Sequence, residues 1–183
     1  DIAYHVDKHD RGFDRVIDVW GADHHGYVPR VRAALRALGY ADAFFHVTVV
    51  QLVKVLRGGE EVKMSKRSGE FVTLRDLVDE VGPDAARYFF LMRRGDSQLN
   101  FDLDLAKSQT NENPVFYVQM AHARLSGIFR TAERDPDSVT GELDLTALPA
   151  PQDTELLKKL VTFPDAVTRA AREREPHRIT VFL

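Results

Sequence analysis

Two lysines three positions apart, Lys63 and Lys66, enclose Met64 and Ser65 in the stretch Glu60-Glu61-Val62-Lys63-Met64-Ser65-Lys66-Arg67-Ser68-Gly69. Lysine is a compact charge on a flexible stem, and flanking glycines (Gly58-Gly59 and Gly69) free the backbone around it. Such a pair suits a polyphosphate whose charge shifts during a reaction, with the Ser65 hydroxyl and backbone amides as further donors. A second set, Gly21-Ala22-Asp23-His24-His25-Gly26-Tyr27, stands where an apolar run ends. Gly21 lets a nucleotide approach the backbone there, and Asp23 can accept from ribose hydroxyls. A metal site from Asp23, His24 and His25 is the competing reading. It is the weaker one, because three consecutive side chains splay apart instead of converging on one ion. His5 and His9, one helical turn apart near Asp1, raise the same question and are expected to be surface residues.

These residues need elements to hold them. Val16-Ile17-Asp18-Val19-Trp20 reads as a buried strand stopped by Gly21. Val28, Val31, Leu35 and Leu38 recur at helical spacing, with Gly39 as the C-terminal stop. Phe44–Val50 is a second strand leading into Gln51–Leu56. Strand, helix and strand with short connections predict a βαβ unit and a parallel sheet. The polar stretch from Gly58 to Gly69 is expected as a loop. After it, Thr73 with Asp76 three residues on resembles a capping box for Leu74, Leu77, Val78 and Val81. Pro83 suits the first position of a helix over Asp84–Met92. Phe101–Leu105 is a short strand or turn.

From about Ala106 the strand pattern stops. Pro114 opens a helix with Val115, Val118, Ala121, His122, Leu125 and Phe129 on one face. Asp135–Gln152 reads as a loop. A single helix is expected over Thr154–Glu175, kinked at Pro164, before Pro176 and an apolar restart at Ile179–Leu183.

The 183 residues are 44% hydrophobic and 29% charged, which describes a folded chain and not a disordered one. With no cysteine, disulfide, thiolate-zinc and cysteine-nucleophile chemistries are excluded. No apolar run approaches the ~20 residues of a membrane helix. The absence of Met at position 1 suggests a piece of something longer. Net charge is −3, unevenly spread: residues 57–67 carry +2, 135–155 carry −6 and 158–178 carry +3. Local basic patches leave an RNA partner open.

Lys63-Met64-Ser65-Lys66 is the KMSK pattern of class I aminoacyl-tRNA synthetases. Several further stretches resemble bacterial-type arginyl-tRNA synthetases: Asp1-Ile2-Ala3-Tyr4-His5, Arg11-Gly12-Phe13-Asp14, Gly21–Tyr27, Val72-Thr73-Leu74, Asp84–Phe89, Phe101–Ala106 and Asn111-Glu112-Asn113-Pro114. The resemblance implies an α/β fold followed by an all-α part. Residues 1–105 would be the second half of a Rossmann-like catalytic domain with its KMSK loop, and 106–183 the start of a helical anticodon-binding bundle. It implies ATP as substrate with Mg²⁺ as counter-ion, arginine and arginine tRNA as partners, no membrane, a monomer and a cytoplasmic location. By position, Lys63, Ser65 and Lys66 would be catalytic. Gly21, Asp23, His46, Val47, Val62 and Met64 would bind ATP, and Asp1 and His24 would bind arginine. No residue is assigned to a metal. The upstream HIGH signature of the class is absent, so the chain alone is expected to be inactive.

Two other readings stay open. The helices could be a tRNA-binding module without catalysis, contacting phosphates through Arg124, Arg130, Lys158, Lys159 and Arg169. The chain could also belong to another nucleotidyltransferase of similar fold.

Overall fold

In the computed structural model, residues 1–62, 72–139, 144, 146, 148 and 150–183 are described. The chain forms two compact units, residues 1–54 with 95–100, and residues 55–94 with 101–183.

The first unit is built on strands β1 (Val16–Gly21) and β2 (Phe45–Val50), paired in parallel with Val16 opposite Phe45 and Gly21 opposite Val50. Parallel neighbours cannot be joined by a tight turn, so the chain crosses over through helix α2 (Val28–Ala37). The predicted βαβ unit is therefore present. Gly39 ends α2 with φ at +90°, a value that suits glycine because no Cβ clashes there. Around it the amide of Tyr40 reaches the Leu35 carbonyl at 3.1 Å and that of Gly39 reaches Arg36 at 2.9 Å. This crossed pair closes the helix as a Schellman motif. Val31 and Leu35 from α2 pack with Val16, Phe44 and Phe45 as the core, and Trp20, Tyr40 and Val47 lie against it.

Helix α1 (Ile2–Asp10) precedes β1. Here the structure corrects the sequence reading: His5 is buried at 3% exposure, whereas His9 is exposed. His5 lies on the inward face of α1, with its ring edge-on to Phe45 at 5.1 Å between centroids.

The second unit begins within strand β3 (Val53–Arg57), which lies between β4 (Glu60–Glu61) and β5 (Leu99–Asp102) in sheet order. Helix α3 (Leu74–Val81) starts at the expected capping box. The Asp76 amide donates to the Thr73 hydroxyl at 3.1 Å, and the Thr73 amide donates back to the Asp76 carboxylate at 2.9 Å. The Thr73 hydroxyl also donates to that carboxylate, and these bonds hold Asp76 below the usual carboxylate range. Helix α4 (Pro83–Leu91) begins at its proline, and Asp102 caps α5 (Leu103–Lys107) through the amides of Asp104 and Leu105. Phe101 is fully buried, with the rings of Phe89 and Phe90 each 5.2 Å away. Lys107 and Arg57 both reach Glu80 at 2.7 Å, and the Lys107 bond is the first cause of its lowered pKa.

Helix α6 (Pro114–Thr131) is capped by the buried Asn113, whose side-chain oxygen accepts from the Val115 amide at 3.1 Å. Beyond Val115 its expected apolar face is only partly covered, and Leu125 and Ile128 remain 60% and 64% exposed. The single helix expected over Thr154–Glu175 is two helices, α7 (Pro151–Val161) and α8 (Phe163–Glu173). Pro164 causes the division. It has no amide to donate, so it fits the first turn of a new helix better than the middle of an old one. Helix α9 (His177–Phe182) follows, and the Tyr88 hydroxyl donates to the Thr180 carbonyl at 3.3 Å.

Removing a fully buried ring should leave a cavity that its neighbours cannot fill. Phe101→Ala is expected to destabilise the chain by about 3–5 kcal/mol in urea unfolding. Leu125→Ala, on an exposed face, should stay within about 0.5 kcal/mol of the parent. Equal losses in the two variants would contradict this core.

Candidate functional site

The first unit contains an open cleft of about 660 Å³ between α1, β1 and the 3₁₀ turn Ala22–Tyr27. Asp1, Tyr4, His5 and Lys8 line it from α1, Ile17 to Trp20 from β1, and His24 and Tyr27 from the turn. Asp1 and His24, read separately from the sequence as arginine-binding residues, thus face one space. Asp1 occupies the N-cap of α1, where Asp commonly accepts a backbone amide. Its side chain makes no such capping bond, so its carboxylate is left for other partners in the cleft.

A second carboxylate in the cleft is engaged. Asp18, mostly buried, accepts from His5 Nε2 at 2.9 Å and from Lys8 Nζ at 3.4 Å. His5 Nδ1 meets the Asp1 carbonyl oxygen at 2.7 Å. Sequence reasoning missed this His5–Asp18–Lys8 group. The available signal was Asp18 itself, a charge at the middle of an apolar strand that needs a partner when buried.

Gly21 ends β1 in extended backbone, and Asp23 follows in the first turn of the 3₁₀ segment. A Cβ on Gly21 would lie 2.5 Å from Asp23 Oδ1, so the bare glycine gives that carboxylate its place. Asp23 and His24 approach to 3.6 Å on the surface. Among the described residues no three His, Asp or Glu side chains gather as a metal site. His46 and Val47 lie on β2, where Val47 packs on the core. Val62, in the second unit, donates its amide to the Val55 carbonyl at 2.8 Å. Lys63, Met64, Ser65 and Lys66 lie outside the described residues.

The basic candidates on the helices differ in their engagement. Lys158 pairs with Glu155 at 2.8 Å and Arg169 with Glu173 at 3.0 Å, both on the surface. Such exposed pairs are worth little and yield readily to a phosphate. Lys159 stands 4.3 Å over the Phe182 ring, and Arg124 and Arg130 are exposed on α6. No helix among the described residues is long and apolar enough to cross a membrane.

Comparison with known proteins gives these features a setting. Residues 118–183 match the DALR anticodon binding domain. The whole chain is 55% identical to an arginine–tRNA ligase of Bacillus licheniformis, of which it covers 33%. It is 58% identical to the corresponding ligase of Citrifermentans bemidjiense, again covering 33%. Among solved structures, an arginyl-tRNA synthetase structure from Campylobacter jejuni superposes with a TM-score of 0.87 at 36% identity. That match covers 99% of this chain and 39% of the other. The Thermus thermophilus arginyl-tRNA synthetase gives a TM-score of 0.68 at 25% identity, covering 92% of this chain and 31% of the other.

An α/β unit with a cleft, continued along the chain by helices that match an anticodon-binding domain, is the arrangement shared with the aminoacyl-tRNA synthetase structures it superposes on. Identity above one half along the whole chain makes this narrower: the chain belongs to the arginine–tRNA ligase family. It spans about a third of the length of the curated relatives it matches.

The position of Gly21 gives a test of the local geometry. Gly21→Ala should displace the exposed Asp23 side chain, which is free to rotate, while leaving stability within about 0.5 kcal/mol of the parent. A crystal structure and an unfolding curve of the variant check both parts. A loss of several kcal/mol would show that Asp23 is held where it stands.

Proposed function

We propose that the chain supplies the arginine-binding cleft and part of the ATP site of an ATP-dependent arginine–tRNA ligase. The observation that carries this reading is the unengaged Asp1 carboxylate meeting His24 in one cleft, in a chain of this family. A fixed carboxylate can accept two parallel bonds from a guanidinium, which selects arginine over smaller or singly donating side chains.

In the proposed reaction the arginine carboxylate attacks the α-phosphorus of ATP. The bond to the bridging oxygen breaks, releasing pyrophosphate and leaving arginyl-adenylate. A ribose hydroxyl of the terminal adenosine of arginine tRNA then attacks the arginyl carbonyl, losing its proton, and AMP departs. Lys63, Ser65 and Lys66 would meet the charge that develops on the phosphates, with Met64 and Val62 beside the nucleotide. Gly21 and Asp23 would hold the ribose side, and His46 and Val47 the adenine side. Mg²⁺ would enter as the phosphate counter-ion, and no residue of this chain is assigned to it.

Residues 1–105 would form the second half of a Rossmann-like domain with its KMSK loop, and 106–183 part of the anticodon-binding bundle. Ile17 and Val19 support the first assignment. They are 47% and 69% exposed on one face of a parallel strand pair, and parallel sheets are ordinarily covered on both faces. Arg124, Arg130, Lys158, Lys159 and Arg169 would meet tRNA phosphates. The protein would act in the cytoplasm as a monomer.

Two variants in the full-length protein test this reading by steady-state aminoacylation. Lys66→Ala should lower turnover roughly a hundredfold or more, the usual cost of one donor aimed at transition-state charge. Its unfolding curve should be unchanged. Parental turnover would remove the catalytic role. Asp1→Asn should raise KM for arginine far more than KM for ATP, because only the arginine side chain needs a facing anion. Parallel rises in both constants would reduce Asp1 to a helix-start residue.

A further inference from the structure

His5 is the most buried polar residue of the cleft and has no place in the proposed chemistry. Both its ring nitrogens are engaged, and by oxygens that only accept. Nδ1 stands 2.7 Å from the Asp1 carbonyl oxygen, and Nε2 stands 2.9 Å from the Asp18 carboxylate. The ring therefore ties the N-cap of α1 to the middle of β1. Phe45 meets it in a T-shaped contact at 5.1 Å between centroids, so the imidazole has little freedom to turn. The Asp1 carbonyl also accepts the amides of Tyr4 at 3.1 Å and His5 at 3.2 Å, as any helix start would. Those two bonds fix Asp1 relative to α1 alone. The His5 side chain ties it directly to Asp18 of β1, alongside the Lys8–Asp18 pair that holds the helix itself to that strand.

We propose that His5 is a positioning residue for arginine recognition, holding the Asp1 backbone against Asp18 so that the Asp1 carboxylate stands at one place in the cleft. The idea rests on the ligase reading above. A bidentate carboxylate–guanidinium pair tolerates little displacement, and a shift near 1 Å in a positioning group can cost as much as ~100-fold. His5 touches neither arginine nor ATP in this scheme. Its loss should thus appear in the arginine constant and leave the ATP constant alone.

Asparagine and glutamine separate the two halves of the bridge. In His5→Asn the side-chain amide stands where Nδ1 was and can still donate to the Asp1 carbonyl. In His5→Gln the amide reaches the Nε2 position and keeps Asp18, while the Asp1 bond is lost. Steady-state aminoacylation by the full-length protein should show KM for arginine raised at least ~10-fold in His5→Ala and His5→Gln, with KM for ATP unchanged. His5→Asn should recover most of that loss. Thermal midpoints of the Asn and Gln variants should fall together, because both remove the ring from its place beside Phe45.

If His5→Ala does not fold, the Asn and Gln pair carries the test by itself. Equal arginine constants in those two variants, or losses that follow the thermal midpoint instead of the bond retained, would overturn the proposal while the ligase reading stands. A parent protein that does not charge arginine tRNA would overturn that reading and the positioning role with it.

Discussion

Parallel pairing between Val16–Gly21 and Phe45–Val50 is the constraint on which the first unit depends. Two strands running the same way need a crossover, and the crossover that buries most apolar area is an amphipathic helix laid on the sheet. Val31 and Leu35 supply that face, and Phe44 and Phe45 close the core from the second strand's entry. Once α2 lies on the sheet, the 3₁₀ turn Ala22–Tyr27 must leave β1 at its carboxyl end. That is where open α/β sheets bind ligands, and it is where Asp23 and His24 stand. The cleft is a consequence of the pairing.

How far the sequence could be read depended on the range of the interactions involved. The capping box at Thr73 and Asp76, the proline starts of α4 and α6 and the glycine stop after α2 are contacts between neighbours in the chain, and each was legible. The βαβ order followed from periodicity alone. The break between α7 and α8 was misjudged because Pro164 fits both a kink and a first turn, and only the packing around it chooses. His5 was misjudged for a related reason. Its partners Asp18 and Phe45 are 13 and 40 positions away, so nothing beside it in the sequence announced a buried ring. Asp1 and His24 were placed by family resemblance, and their meeting in one cleft is a tertiary fact that no local pattern contains.

The two carboxylates of the cleft are treated differently by their surroundings, and the difference bears on what the cleft can hold. Asp18 is mostly buried, and a buried anion without donors carries a heavy desolvation penalty. It has donors in His5 and Lys8, so its charge is compensated and its oxygens are occupied. Asp1 is exposed, stands at a helix start where the dipole favours an anion, and lacks the capping bond that would occupy it. Being exposed, it is open to solvation, so leaving it unpaired is not costly. A cationic ligand meets one free carboxylate and not two. Lys8 would repel a second positive group placed near Asp18, which confines the favourable site to the Asp1 end of the cleft. A cleft with two free carboxylates would attract any cation, lysine and divalent metal included. With Asp18 compensated, the selectivity proposed for the cleft would rest on the geometry of Asp1 and its neighbours, since a placed carboxylate can favour a planar, doubly donating guanidinium over a point charge.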